Sequence, residues 1–486
     1  MFALSRVTLL QAVGLGPPTR RLWATRLAWL ALCWSTHTWA QATLGALPPA
    51  VEDALQRAKL PREALSVVVV PVGAAGPARL SHQAEALRNP ASLMKLVTTS
   101  AALDLLGPAF QWRTPVFVDG KLRDGVLQGH VYVQGSGDPK LGVEQLWLLM
   151  RRLHGLGIRQ IQGDIVLDRS AFSLPPHDPA GFDGEPLRPY NAAPDAFLVN
   201  FKSLSLQFVP DPANKLAHVH VEPPLAGVQV QSTVPLMGGD CSDYRAALRA
   251  EWGNPLQVRF MGGFPASCSE KLWPVAYADP ERFAARAVQG MWQHVGGQLN
   301  GSVRDGVVPA GLKPVFLVES PTLGEVVRDI NKFSNNVMAE QVFLSLALQK
   351  RGQATPSVAK EVLEVWWRER LGTEPPLLDK GSGLSRDQRI SAQALAHLLQ
   401  WDWRQAFMPE LIASLPLTGV DGTLKRSKSS ANAHLKTGSL KDAMGIAGYV
   451  DGQNGQRFVL VAMVNHANAN QARPVMDALI DWTAGR

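Results

Sequence analysis

Cysteine is scarce in this chain, with 3 in 486 residues, and tyrosine nearly so, with 5. Three thiols cannot make a dense disulfide scaffold, and their spacing fits no zinc module. Charge is also thin: Asp, Glu, Lys and Arg make up 18% of the chain. Four arginines that precede residue 40 (Arg6, Arg20, Arg21, Arg26), with no acid among them, account for much of the +7 net charge. No basic run remains to bind nucleic acid. No apolar stretch is long enough to span a bilayer. Gly-x-Ser-x-Gly, His-Glu-x-x-His and phosphate-loop patterns are all missing, and the 11 histidines are scattered. These absences leave an ordinary globular protein, long enough for two to four domains with large cores.

Residues 1–40 read as a secretory signal. Arg20, Arg21 and Arg26 precede the apolar run Leu27–Trp34, and Thr38-Trp39-Ala40 offers a small-residue cleavage site. The expected location is therefore the periplasm. Cys33 falls in the signal, which leaves Cys241 and Cys268. An even pair in an exported chain favours a disulfide, with two free buried thiols as the alternative.

The most informative stretch is Asn89-Pro90-Ala91-Ser92-Leu93-Met94-Lys95, continuing to Leu106. Asn89 suits a helix N-cap and Pro90 the first helical position. Ser92 then lies in the first turn and Lys95 three residues on, so hydroxyl and amine share one face. The rest of the helix is apolar nearly all round, as in a buried helix. Burial disfavours the charged amine and lowers its pKa, and a neutral amine beside a hydroxyl is a general base. On these residues alone, a core helix with a snorkelling lysine remains equally open. Ser357-Val358-Ala359-Lys360 repeats the spacing, but Glu361, Glu364 and Arg368 mark that helix as solvated, so Lys360 is expected to stay inert.

Between Lys95 and Ser334 the pattern turns to short strands and turns, with Trp112–Gly120 and Leu127–Gly135 reading as paired strands. Residues 201–278 alternate almost throughout. Helical character returns from about 315, with helices over Pro356–Leu371, Ser391–Trp401 and Trp403–Ser414. Ala433–Gly438, Met444–Val450 and Phe458–Val464 read as antiparallel strands before a closing helix, Val475–Ala484. Strands at both chain ends with helices between predict one α/β (α+β) sandwich domain split by an insertion. The expected division is signal 1–40, a catalytic domain of 41–110 and 315–486, an inserted mixed α/β domain of 111–200 and 279–314, and a small all-β module of 201–278 nested within it.

Two further signals follow Ser92-x-x-Lys95 in order: Ser334-Asn335-Asn336 at a helix start and Lys436-Thr437-Gly438 on a strand. Ser-x-Asn has a decoy in Ser430-Ala431-Asn432, but Lys-Thr-Gly occurs once. Together the three are the arrangement used by β-lactamases and penicillin-binding proteins. The chain resembles the penicillin-binding-protein-4 type of D-alanyl-D-alanine carboxypeptidase/endopeptidase over about residues 45–486. Supporting stretches are Tyr132–Pro139, Gly163–Asp168, Pro189–Pro194, Asp379–Arg386 and Leu415–Leu424. Lys380 interrupts an expected Asp-Gly-Ser-Gly run, and Asn335 stands where aspartate is common.

The resemblance implies a β-lactamase/transpeptidase-like fold and a serine peptidase acting on peptidoglycan stem peptides and acylated by β-lactam antibiotics. It implies no metal, no cofactor, no nucleic acid and no membrane span. It makes Ser92 the nucleophile, Lys95 its base, Ser334 and Asn336 relay and bridging groups, and Lys436, Thr437 and Gly438 the strand that receives the terminal carboxylate. Ser92 and Ser439 would supply backbone N–H groups to an oxyanion hole. An acid from the insertion, Asp183 or Glu185, would hold the ammonium of the stem's diamino acid. A β-lactamase is the first alternative, but the Glu-x-x-Leu-Asn loop of class A enzymes is absent. A non-catalytic wall-binding scaffold is the second, and it leaves the intact motifs without a purpose.

Overall fold

The computed structural model describes residues 46–73, 76–453 and 455–485. The signal reading falls on residues 1–40 and lies outside them.

The first strand is the apolar run Leu65–Pro71, which joins a five-stranded antiparallel sheet with the last three strands of the chain. In order across the sheet these are Leu80–His82, Leu65–Pro71, Arg457–Asn465, Ala443–Asp451 and Ala433–Leu440. Period-2 alternation splits the first strand between two cores. Val68 and Val70 face the helical block, while Val67 and Val69 pack with the helices Pro49–Arg57 and Arg473–Ala484. A helix layer therefore covers each face, and the fold is the expected sandwich.

The helical block holds Met94–Leu106, Leu323–Phe333, Asn336–Arg351, Pro356–Leu371, Ala392–Asp402 and Met408–Ser414. Thr322 caps the second of these in a capping box with Glu325, and Asn335 caps the third through Met338 N. One helix expected over Trp403–Ser414 begins only at Met408. The preceding helix runs on through Asp402, and residues 403–407 make the turn between them.

The long insertion carries the other four sheets. One has Ile165–Asp168 parallel to Val131–Gln134, which pairs antiparallel with Arg113–Val118. The expected pairing of Trp112–Gly120 with Leu127–Gly135 is thus half right. Val126–Gln128 instead folds back on Lys121–Arg123. Residues 201–278 are largely strand, as expected, but include a short helix, Tyr244–Leu248, capped by Asp243. Their core side chains Phe208, Phe260 and Phe264 belong to the same apolar cluster as Leu146, Leu149 and Trp292 of the mixed region. Cys241 and Cys268 are joined by a disulfide, with Cα atoms 5.1 Å apart. Among the described residues no helix is long and apolar enough to cross a membrane, and no cluster of His, Cys, Asp and Glu could hold a metal ion.

Candidate active site

The helix expected from Pro90 starts with a tighter turn, Ala91–Leu93, and becomes α-helical at Met94. Asn89 Oδ1 accepts from Ala91 N at 2.9 Å, as a capping side chain does. Ala91 is fully buried at φ +49°, in the left-handed region that costs an L-residue energy. That bend presents Ser92 between the sheet and the helical block. Gly383 (φ +82°) lies against it so closely that a Cβ there would sit 2.0 Å from the Ala91 carbonyl oxygen.

Lys95 is fully buried, and its Nζ lies 2.9 Å from Ser92 Oγ. Its other partners are Asn336 Oδ1 at 2.6 Å and the Ser382 carbonyl. Burial pushes the Lys95 pKa well down, and the nearby Lys436 charge pushes it further, against an opposing pull from Glu340. Glu340 Oε1 in turn accepts from Ser382 N at 2.9 Å, so the two backbone groups of one residue link the acid to the amine. Burial raises the Glu340 carboxyl above the usual range.

Ser334 closes the preceding helix in a left-handed conformation (φ 58°). This geometry turns its hydroxyl to Lys436 Nζ, 3.0 Å away. Lys436 is fully buried, gives a second hydrogen bond to the Thr437 carbonyl at 2.7 Å, and has its pKa pushed down to about 7 by burial. Thr437, next on the strand, is half-buried, and its hydroxyl donates to Thr423 Oγ1 at 2.7 Å. Gly438 packs against the Ser92 turn; a Cβ there would lie 2.6 Å from the Pro90 carbonyl oxygen. Ser439 is exposed beyond it. Ser92, Lys95, Ser334, Asn336 and the Lys436 strand thus meet at one place, as a hydrogen-bonded trio centred on Lys95 and a Ser334–Lys436 pair.

Asp183 and Glu185 differ from each other. Asp183 accepts from Tyr190 Oη at 2.8 Å, Asn191 Nδ2 at 2.8 Å and Glu185 N at 3.1 Å. Partial burial opposes its charge, but the bonds from Tyr190 and Asn191 prevail and hold its pKa down. Its oxygens are filled by its own loop. Glu185 is exposed, with only Arg188 Nε 3.4 Å away. The loop reaches the site through Tyr190, whose carbonyl accepts from Asn336 Nδ2 at 3.3 Å.

Glu340, Ser382, Gly383 and Thr423 were not singled out from the sequence. Ser382, Gly383 and Thr423 lie in the Asp379–Arg386 and Leu415–Leu424 stretches noted there only for resemblance. Their glycines were the available signal. Lys360, the decoy, sits on a solvated helix face, 3.8 Å from Glu364.

Comparison with known proteins gives a consistent result. The family model described as the D-Ala-D-Ala carboxypeptidase 3 (S13) family matches residues 47–486. The chain is 25% identical over 388 residues to the D-alanyl-D-alanine carboxypeptidase DacB of Haemophilus influenzae, covering 77% of this chain and 80% of that protein. It is 26% identical over 439 residues to a D-alanyl-D-alanine carboxypeptidase of an Actinomadura species, covering 86% and 80%. The crystal structure of penicillin binding protein 4 from Haemophilus influenzae superimposes with a TM-score of 0.70 at 23% identity, over 89% of this chain and 98% of that one.

Proposed function

The chain belongs to the S13 family of D-Ala-D-Ala carboxypeptidases, and from that premise we propose that it hydrolyses the terminal D-alanyl-D-alanine bond of peptidoglycan stem peptides through an acyl-enzyme on Ser92. The observation that carries this reading is the buried Lys95 amine 2.9 Å from the Ser92 hydroxyl, with the buried Lys436 amine behind it.

Lys95 takes the Ser92 proton as Oγ bonds to the carbonyl carbon of the penultimate D-alanine. A positioned base of this kind contributes about 10²–10⁴-fold. The backbone N–H groups of Ser92 and Ser439 receive the developing oxyanion, at about 3 kcal/mol per donor. The C–N bond then breaks as the proton held by Lys95 passes to the leaving amine through Ser334, which is hydrogen-bonded to Lys436. Water attacks the ester carbon and gives a proton to the neutral Lys95. That amine returns it to Ser92 Oγ as the ester bond breaks, and the shortened peptide leaves. The Thr437, Thr423 and Ser439 hydroxyls receive the substrate's terminal carboxylate, with Lys436 supplying positive charge from beneath the strand. Asn336 fixes Lys95 and ties it to Tyr190. Of the two loop acids, Glu185 is the one free to pair with a substrate ammonium.

The same acylation by a β-lactam leaves an ester that this site has no added base to clear, so the antibiotic stays bound. Cleavage of D-alanyl cross-links uses the same steps with a larger leaving amine. Export by residues 1–40 places the enzyme in the periplasm. Labelled penicillin is expected to remain on the wild-type chain through denaturation and to be absent from Ser92→Ala. Retention by the variant means that another residue is the nucleophile.

A further inference from the structure

We propose that the cavity between the Asp183–Tyr190 loop and the residue 243–275 part of the insertion is a subsite for the glycan end of the stem peptide. Its ligand is an N-acylated amino sugar whose attached peptide carries a free carboxylate. The proposal rests on D-alanyl-D-alanine hydrolysis at Ser92 and assigns a task to the nested β region.

The first argument is direction. The substrate's terminal carboxylate goes to the Thr437 strand, so the acyl portion must leave Ser92 on the other side. There Asn336 bridges Lys95 and the Tyr190 carbonyl, at 2.6 and 3.3 Å. Tyr190 presents its carbonyl to the reacting centre and lines the cavity beyond. A chain attached to Ser92 that crosses Tyr190 enters that cavity.

The second argument is chemistry. The cavity has a volume of about 690 Å³, and its lining includes Arg188, Tyr190, Arg245, Arg249, Trp252 and Trp273. Trp252 and Trp273 meet edge to face with centroids 5.7 Å apart, and both are only half-buried. An L-shaped aromatic corner open to solvent matches a pyranose ring, whose polarised C–H face meets the negative face of a π system. The Arg245 guanidinium lies 5.6 Å from the Trp273 ring centroid. Arg188, Arg245 and Arg249 are exposed and surround the corner. The lining acids are fewer: Asp243 caps the helix Tyr244–Leu248, and Glu185, the other, lies 3.4 Å from Arg188 Nε. An excess of forked donors beside an aromatic corner selects an amino sugar with a free carboxylate close by. The stem's glutamate provides it, the lactyl carboxyl of the muramyl unit being tied up in its amide to the peptide.

The test compares a disaccharide pentapeptide with an N-acyl-D-alanyl-D-alanine too short to reach the cavity. Wild type is expected to prefer the glycan-bearing substrate in kcat/KM. Arg245→Gln and Trp252→Leu should each lower that value about tenfold, the loss typical of an anchoring arginine or tryptophan. Hydrolysis of the short substrate should be unchanged, which also shows that the variants are folded. No preference in wild type, or equal losses on both substrates, overturns the subsite. In parallel, calorimetric titration of Ser92→Ala with a disaccharide tripeptide, which lacks D-alanine, reads binding alone. Binding that is weakened by Arg245→Gln, in an enzyme that releases no D-alanine from either peptide, sinks the hydrolysis and keeps the subsite. No binding of the tripeptide sinks the subsite.

Discussion

In the proposed reaction the chemistry turns on Lys95, because a charged amine in its position could accept no proton. Burial and the neighbouring Lys436 charge both lower its pKa, whereas burial alone lowers that of Lys436. The working state near neutrality is a neutral Lys95 beside a charged Lys436, and the two titrate as a coupled pair. Release of D-alanine is therefore expected to rise with pH as Lys95 deprotonates, then fall above about 7 as Lys436 loses the charge that receives the substrate carboxylate. A pH profile that climbs unbroken to pH 10 refutes that division of labour. The sign for stability is opposite to that of a lysine held in an ion pair, whose pKa rises on folding. The unfolded chain binds more protons than the folded one between about 7 and the ordinary lysine range, so Lys436 makes stability rise with pH there. Melting temperatures of wild type and Lys436→Met across that range should converge at high pH. Lys95→Ala is expected to lose about 10²–10⁴-fold in D-alanine release, whereas Lys360→Ala should match wild type. Similar losses in both would show that burial is not what distinguishes the two lysines. The sequence showed this much because apolar neighbours on every side of Lys95 are a local pattern. It could not show Glu340 or Thr423, whose roles depend on contacts with Ser382 and Thr437, 42 and 14 positions away.

At the scale of elements, the site is a meeting of a helix start, a helix junction and an edge strand, and close packing sets their spacing. Gly438 admits the Pro90 carbonyl where a Cβ would stand 2.6 Å from it. Gly438→Ala is expected to push the Lys436 strand off the Ser92 turn, to cost about 1–3 kcal/mol of stability, and to slow acylation by labelled penicillin at least tenfold. A variant that acylates at the wild-type rate would mean that this contact does not position the strand. Element types were legible where periodicity was strong: Pro356–Leu371 and the closing strands and helix fell where the pattern put them. The Trp403–Ser414 helix was misplaced because apolar Trp403 and Phe407 continue a helical rhythm through what is a turn. The Leu127–Gly135 strand was read as one because its apolar residues run on, although Gly129 lies within it. A Cβ at Gly129 would meet the Asp119 carbonyl oxygen at 2.3 Å, and the segment divides there between two sheets.

For the whole molecule, the sequence revealed the interruption but not how its parts pack. Composition separated residues 201–278 from their surroundings, yet Phe208 and Phe264 share an apolar cluster with Leu149 and Trp292. Alternation along a strand says which side chains are inward, not what they pack against. The sandwich sheet itself is assembled from both ends of the chain, since Leu65–Pro71 pairs along its whole length with Arg457–Asn465. A chain that stops before Arg457 leaves the first strand without that neighbour and cuts the sheet between Leu65–Pro71 and Ala443–Asp451. Such a truncation is expected to take up no labelled penicillin although it keeps every residue named in the reaction; labelling at the wild-type level would refute this. A ribosome working along this message makes the nucleophile long before the strand Arg457–Asn465 that closes the seam, so the two ends of the sheet wait on each other.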